Sequence, residues 1–220
     1  MKIEIFSDVA CPWCFIGKRR LERALKAAGV VPEVRYRAFQ LQPGLPAEGV
    51  PAQEFFSRKF GSRDRVQGIF ERLTALGRQE GIAFDFQSQT RAPNTELAHR
   101  VIHFAGIRQE ASATIEAMFV GYFEQGLNLC ALTDIVAMLR TARVALDLDE
   151  LTAAMASGAG KAEVASDLAN AREYGIGGVP LFIFDERYTV EGAQPLEHFC
   201  RLIDRLKAEN TPHLRAQMLL

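Results

Sequence analysis

The sequence predicts an α/β fold in which a single α/β domain is interrupted by a large all-helical insertion. Three observations carry that reading. Stretches with strand-like alternation gather near the two ends of the chain, at residues 2–7, 31–39 and 179–191. Between them, apolar residues recur at helical spacing. Dense turn formers mark the junctions: Pro43, Gly44, Pro46 and Gly49 on one side, Gly175-Ile176-Gly177-Gly178 on the other. Residues 1–45 and 176–220 are therefore expected to form one discontinuous domain, with 46–175 as the inserted helical domain.

Each element has a local reason. Residues 2–7 alternate around Ile3 and Ile5 and lead to Cys11, after which Pro12 suits a first helical position, where its missing N–H would have no partner anyway. Phe15, Ile16, Leu21 and Leu25 are compatible with a buried stripe on a helix running to about Ala28, which Gly29 ends. Residues 31–39 read as a second strand, with Val34, Tyr36 and Ala38 on one side and Arg35 and Arg37 on the other. A strand–helix–strand unit makes the two strands parallel.

In the insertion, Val66, Ile69, Phe70, Leu73 and Leu76 keep helical spacing, and Gly81 closes that helix. Pro93-Asn94-Thr95 offers a cap before Leu97, Ala98, Val101, Ile102 and Ala105. Ile115, Met118, Phe119, Tyr122 and Phe123 form a further stripe ending near Gly126, and shorter helices are expected at 133–141, 147–155 and 161–174. Residues 179–184 and 187–191 read as an antiparallel hairpin turned at Asp185-Glu186, followed by a last helix over 195–207.

Composition narrows the function. Against 26 Lys+Arg stand 27 Asp+Glu in 220 residues, a formal net charge of −1, so no overall basic field draws nucleic acid or an anionic membrane. With 48% hydrophobic and 24% charged residues, the chain is composed like an ordinary globular protein. Four cysteines are far below the density of small secreted scaffolds and suit a reducing compartment. Glu4 and the lack of a long apolar run make residues 1–8 unlike a secretory signal, so a chain starting at Met1 is expected in the cytoplasm. The longest apolar runs, such as 179–184, fall far short of the roughly 20 residues that cross a bilayer.

Chemistry concentrates in Cys11-Pro12-Trp13-Cys14, placed where a strand hands over to a helix. On a helix, residues three apart share a face with Cβ atoms about 5–6 Å apart, close to disulfide range. A sulfur at the helix N-terminus meets unpaired N–H groups and the positive end of the macrodipole, which favour thiolate over thiol. Cys11 is then the nucleophile. Cys14, one turn further in, is expected to be less exposed and to act as the resolving thiol.

The stretch Phe6-Ser7-Asp8-Val9-Ala10-Cys11-Pro12-Trp13-Cys14-Phe15-Ile16-Gly17-Lys18-Arg19-Arg20 is joined by Asn94-Thr95-Glu96-Leu97-Ala98-His99-Arg100, Gly178-Val179-Pro180 and Gly192-Ala193-Gln194. Together these resemble the FrnE-like branch of the DsbA family over nearly the whole chain. The resemblance implies a thioredoxin-like fold with a helical insertion and a protein dithiol–disulfide oxidoreductase. It also implies redox roles for Cys11 and Cys14 and the family's cis-proline position for Pro180, which would pack beside the sulfurs and present the Val179 backbone to an extended substrate. Pro12, Trp13 and Val179 are the expected substrate-binding residues, with Trp13 exposed. No cofactor is expected beyond a redox-active Cys11–Cys14 disulfide, with glutathione as a possible co-substrate. The expected partners are protein or small-molecule thiols and disulfides. In a reducing cytosol, net reduction or isomerisation is expected over net oxidation.

Rival readings exist at several positions. Pro180 could simply open an edge strand. Cys-x-x-Cys is half of a zinc site, and His99 and His103 have ligand-like spacing, but no second Cys-x-x-Cys exists and the apolar Phe15-Ile16 follows, so no metal is expected. Kappa-class glutathione transferases and 2-hydroxychromene-2-carboxylate isomerases resemble the same split fold. They typically have serine in place of Cys11 and a Ser/Asn-Asp-Arg segment in place of Ala193-Gln194-Pro195. Cys130 and Cys200 read as small core hydrophobes, with a resolving or regulatory role for Cys200 as the alternative. His99 reads as a helix-surface residue, with polarisation of the cysteine site as the alternative, Asp8 as a turn former, with help in proton transfer from Cys14 as the alternative, and Lys18, Arg19 and Arg20 as a solvated helix face.

Overall fold

Strand β1 (Lys2–Ser7) hands over at Cys11 to helix α1 (Pro12–Ala28), as the alternation and Pro12 predict. This computed structural model describes residues 1–209; residues 210–220, the end of the expected discontinuous domain, lie outside the described residues. Gly29 ends α1 in the left-handed region at φ 64°, and its N–H turns back to Leu25 and Lys26 carbonyls, a conformation that favours glycine. Strand β2 (Glu33–Ala38) pairs parallel with β1, with Ile3 opposite Val34 and Ser7 opposite Ala38. It starts two residues later than the sequence suggests. Pro32 has no N–H to offer a ladder, whereas the Glu33 N–H donates to the Met1 carbonyl.

The chain then runs through β3 (Val50–Pro51), α2 (Ala52–Phe60), α3 (Arg63–Gln79), β4 (Arg91–Ala92), α4 (Glu96–Ile107) and α5 (Ala111–Gln125). It continues through α6 (Leu132–Thr141), α7 (Leu148–Ala156) and α8 (Lys161–Glu173) to β5 (Leu181–Phe184), β6 (Tyr188–Glu191) and α9 (Leu196–Glu209). The main sheet has the order β2-β1-β5-β6, with β5 antiparallel to β1 and Ile5 opposite Phe182. Asp185 and Glu186 both have positive φ, as a primed hairpin turn requires. This is a thioredoxin-like α/β fold with a helical insertion.

The expectation of an all-helical insertion needs one correction. Strands β3 and β4 pair antiparallel, Val50 opposite Ala92 and Pro51 opposite Arg91, where the chain after α3 returns beside the entry to α2. Two residues per strand are too few to show a period-two pattern in sequence. Before α4, Thr95 holds the N-cap position without a side-chain cap bond, and Asn94 Oδ1 accepts the Glu96 N–H at 3.0 Å in its place.

Helix α1 joins two cores. In the first, Cys14, Phe15 and Ile16 pack with Val101, Met118, Phe119 and Phe123 of the insertion. In the second, Leu21, Ala24 and Leu25 pack with Ile3, Ile5, Phe182, Phe199 and Ile203. The reading of Lys18, Arg19 and Arg20 as a solvated face is corrected by this arrangement. Lys18 is buried, its Nζ donating to Glu22 and Glu116 at 2.7 Å each, and Arg20 Nε donates to the half-buried Glu80 at 2.7 Å. Burial pulls the Lys18 ammonium down, but Tyr36, Glu22 and Glu116 outweigh it and hold it above its ordinary value.

Candidate active site

Cys11 is the N-cap residue of α1, with extended backbone at φ −100° and ψ 112°. Its N–H donates to the Asp8 carbonyl at 3.0 Å, and its own carbonyl accepts from Cys14 N–H at 3.0 Å. The β1–α1 turn therefore fixes the first cysteine where a helix end exposes its N–H groups. Pro12 occupies the first helical position, and Trp13 is 43% exposed beside the pair, as expected.

The chain's other end closes over this turn. Cys11 Sγ donates to the Val179 carbonyl at 3.6 Å, and the Val179–Pro180 peptide bond is cis. Pro180 is buried, and its carbonyl accepts the Gly192 N–H at 2.8 Å. Gly17 makes room for this approach. A Cβ there would lie 3.0 Å from Pro180 Cγ and 3.1 Å from Phe182 Cζ, so a glycine one turn after Cys14 lets the proline seat against α1. Sequence reasoning passed over Gly17, because only the cis-proline loop lying across the helix gives it a task.

Cys14 is less exposed than Cys11, as expected, but only marginally so. Cys11 is 3% exposed and Cys14 2%, because Val179 lies against the first sulfur while the insertion packs around the second. All four cysteines are free thiols. Burial pushes the Cys14 thiol well up, and the neighbouring Cys11 adds to the rise; the Asp8 backbone and the Ser7 hydroxyl oppose it.

Two polar residues lie behind the turn, and one of them has another role than its sequence reading. Asp8 is buried, and its carboxylate accepts from the Ala10 N–H at 3.2 Å and the Leu41 N–H at 2.7 Å. The turn reading holds, with the loop after β2 tied in as well. His99 is buried rather than on the helix surface: Nε2 donates to the Phe39 carbonyl at 2.9 Å and lies 3.6 Å from Asp8 Oδ1. Helix α4 is enclosed on several sides by β2, α5, α7 and α8, so burial extends beyond its apolar stripe. The neighbouring Arg100 is buried too, donating to the Ala159 and Met155 carbonyls at the end of α7.

The remaining candidates lie apart. Cys130 is half-buried, its Sγ 3.8 Å from the Asn94 carbonyl, and burial pushes its thiol up. Cys200 packs at the edge of the second core. Among the described residues no three His, Cys, Asp or Glu side chains gather where they could hold a metal ion, and no helix is long and apolar enough to cross a membrane.

Known proteins share this architecture. A family model described as a DSBA-like thioredoxin domain matches residues 2–204. The structure of a probable DsbA oxidoreductase from Streptomyces coelicolor superposes with a TM-score of 0.85 at 34% identity, covering 96% of this chain and 92% of that one. A cytosolic disulfide reductase, DsbM from Pseudomonas aeruginosa, solved with GSH, shares the fold with a TM-score of 0.67 at 14% identity, covering 94% of this chain and all of that one. An uncharacterized protein, YwbO of Bacillus subtilis, is 28% identical over 127 residues, a match that spans 58% of this chain and 58% of that relative. Both the split sheet and the cysteine-bearing strand–helix turn lie within the matched span, and the chain belongs to the DSBA-like thioredoxin-domain family of oxidoreductases.

Proposed function

We propose that this chain catalyses thiol–disulfide exchange through Cys11 and Cys14. The reading is supported above all by one observation: the first sulfur of Cys-Pro-Trp-Cys, at the start of α1, meets the backbone of Val179 beside Pro180, 168 residues along the chain. As a thiolate, Cys11 attacks one sulfur of a substrate disulfide, forming a mixed disulfide and releasing the other substrate sulfur as a thiolate. Cys14 then attacks Cys11 Sγ, forming the Cys11–Cys14 disulfide and expelling the remaining substrate thiolate. The substrate gains two electrons and the cysteine pair loses them. Two molecules of a small thiol such as glutathione return the pair to the dithiol form by the reverse sequence and leave as their own disulfide.

Pro12, Trp13 and Val179 form the proposed substrate surface, and Pro180 positions Val179. Residues 46–175 are proposed as an inserted domain that shapes selectivity among protein or small-molecule disulfides, because its helices enclose Cys14 and Phe15. In a reducing cytoplasm the direction is net reduction or isomerisation. About 30 mV of potential difference shifts this two-electron equilibrium by about 1.4 kcal/mol, so the compartment decides. The test is insulin-disulfide reduction by the wild type beside Cys11→Ser and Cys14→Ser. The wild type is expected to reduce insulin and both variants to lose that activity; equal rates in all three overturn the reading.

A further inference from the structure

We propose that Arg20 positions the loop that carries Val179 and Pro180, and that Glu80, at the end of α3 in the insertion, sets the Arg20 guanidinium in place for that task. The proposal rests on the exchange reading above, in which the Val179 backbone meets an extended disulfide substrate. It concerns where that backbone stands rather than the chemistry at the sulfurs.

Gly17 and Arg20 stand three apart on α1 and so share a face. Gly17 leaves the space that Pro180 fills, since a Cβ there would lie 3.0 Å from Pro180 Cγ. Arg20 reaches the turn that follows β6: its Nη1 donates to the Ala193 carbonyl at 2.7 Å and to the Gln194 carbonyl at 3.3 Å. That turn starts at Gly192, whose N–H donates to the Pro180 carbonyl at 2.8 Å. The Gln194 N–H returns to the Gly192 carbonyl at 2.9 Å, and Gln194 Nε2 donates to the Glu191 carbonyl at 2.8 Å, so residues 191–194 are braced into one piece. A hold on the carbonyls of Ala193 and Gln194 therefore bears on Pro180. Through the adjoining peptide it bears on Val179, whose carbonyl accepts from Cys11 Sγ at 3.6 Å.

Glu80 supplies the orientation. Arg20 Nε donates to Glu80 Oε1 at 2.7 Å, which fixes the plane of the guanidinium while Nη1 faces the turn. Arg23 Nη1 donates to Glu80 Oε2 at 2.6 Å, so both carboxylate oxygens are bound to α1. The donors of a guanidinium lie in one rigid plane, so a single side chain holds a carboxylate on one edge and two carbonyls on another, as the point charge of an ammonium does not. Glu80 is the C-cap residue of α3, and the Arg20 and Glu80 side chains are largely covered, at 13% and 7% exposed. In such partly dry surroundings charge-assisted bonds hold more firmly than exposed ones. The insertion thus reaches the docking loop in three links: Glu80 to Arg20, Arg20 to the 192–194 turn, and Gly192 to Pro180. Both Arg20 and Glu80 are positioning residues, acting through Val179.

The test measures steady-state reduction of an extended peptide disulfide with reduced glutathione as the electron donor. Arg20→Met keeps an apolar stem in the same space and removes the guanidinium. It is expected to raise KM about tenfold and to leave kcat within about twofold, the mark of lost docking. Arg20→Lys is expected to recover little of that loss. Glu80→Ala is expected to raise KM severalfold on its own and to add nothing in Arg20→Met, since Glu80 acts through Arg20. Hydrogen exchange gives a readout apart from activity: the Gly192 amide is expected to exchange about tenfold faster in Arg20→Met, with the amides of β1 unchanged. Wild-type KM and wild-type Gly192 exchange in Arg20→Met overturn the proposal, and an additive effect of Glu80→Ala overturns the part given to Glu80. Should Arg20→Met not fold, Glu80→Ala with the KM and Gly192 exchange of the wild type overturns it alone. If the wild type reduces no peptide disulfide, the exchange reading falls and this proposal with it; if it does so and the variants match it, only the role of Arg20 falls.

Discussion

The two ends of α1 are built for different purposes. Its last turns sit on the sheet among aliphatic and aromatic neighbours such as Ile3, Phe182 and Ile203. Its first turns face the insertion, where Phe15 stacks on Phe119 with centroids 4.9 Å apart and meets Phe84 edge-on at 6.0 Å. That second environment surrounds Cys14 and reaches Cys11. The sheet end holds the helix in the fold, and the insertion end seals the sulfurs. The insertion is therefore part of the cysteine environment rather than an appendage beside it.

Matched truncations break or sharpen that contrast. Phe15→Ala, which removes the stack on Phe119, is expected to cost about 3–5 kcal/mol, and Leu25→Ala about 2–5 kcal/mol at the sheet end. Urea denaturation measures both. Only Phe15→Ala is expected to speed alkylation of Cys14 in the folded protein, and equal alkylation rates in the two variants would break the distinction between the ends. Gly17→Ala comes next, at about 1–3 kcal/mol of overpacking, since the added methyl meets Pro180 and Phe182. Because Pro180 adjoins Val179, whose carbonyl accepts from Cys11 Sγ, this variant is also expected to slow insulin reduction more than its stability loss explains.

The Cys14 thiol gives a pH signature of the insertion end. Its folded value is raised, so the folded state holds the proton more tightly than the unfolded chain. That contribution is fully present below the unfolded thiol's ordinary value near 8.5 and is lost as pH rises from there through the raised folded value, at up to about 1.4 kcal/mol per unit. Denaturation of the reduced protein from pH 7 to 10 is expected to show a steeper loss in wild type than in Cys14→Ala. The smallest effect is expected for Lys18→Met. Lys18 is raised above its ordinary 10.5, so its contribution persists below that value and fades above it. At neutral pH the variant is expected to lose about 1 kcal/mol or less, because Glu22 is partly solvated and Glu116 keeps Arg19 at 2.5 Å.

What was legible in the sequence was local. The β1–α1 turn follows from alternation, Cys11 and Pro12; the hairpin from its apolar run and Asp185-Glu186; and the helices from their stripes. The pairing of Cys11 with Val179 and Pro180 was reached through family resemblance, and the contact itself is 168 residues long-range. Burial of polar side chains was not legible. Lys18 looks solvated on a helical wheel, and the arrival of Glu116 from α5, 98 residues later, adds a second carboxylate to the nearby Glu22. His99 sits beside an apolar stripe and is buried because α4 is enclosed on several sides. The paired β3 and β4 carry too few residues for a pattern, and the near-equal burial of Cys11 and Cys14 depends on a loop that arrives at the far end of the chain.

The central claim is that Cys11 is the attacking sulfur and Cys14 resolves it. Mass spectrometry of Cys11→Ser and Cys14→Ser after incubation with oxidised glutathione tests it most directly. A glutathione adduct trapped on Cys11 in Cys14→Ser, with none on Cys14 in Cys11→Ser, is the predicted result. An adduct on Cys14 of Cys11→Ser that forms as fast as any on Cys11 would contradict it.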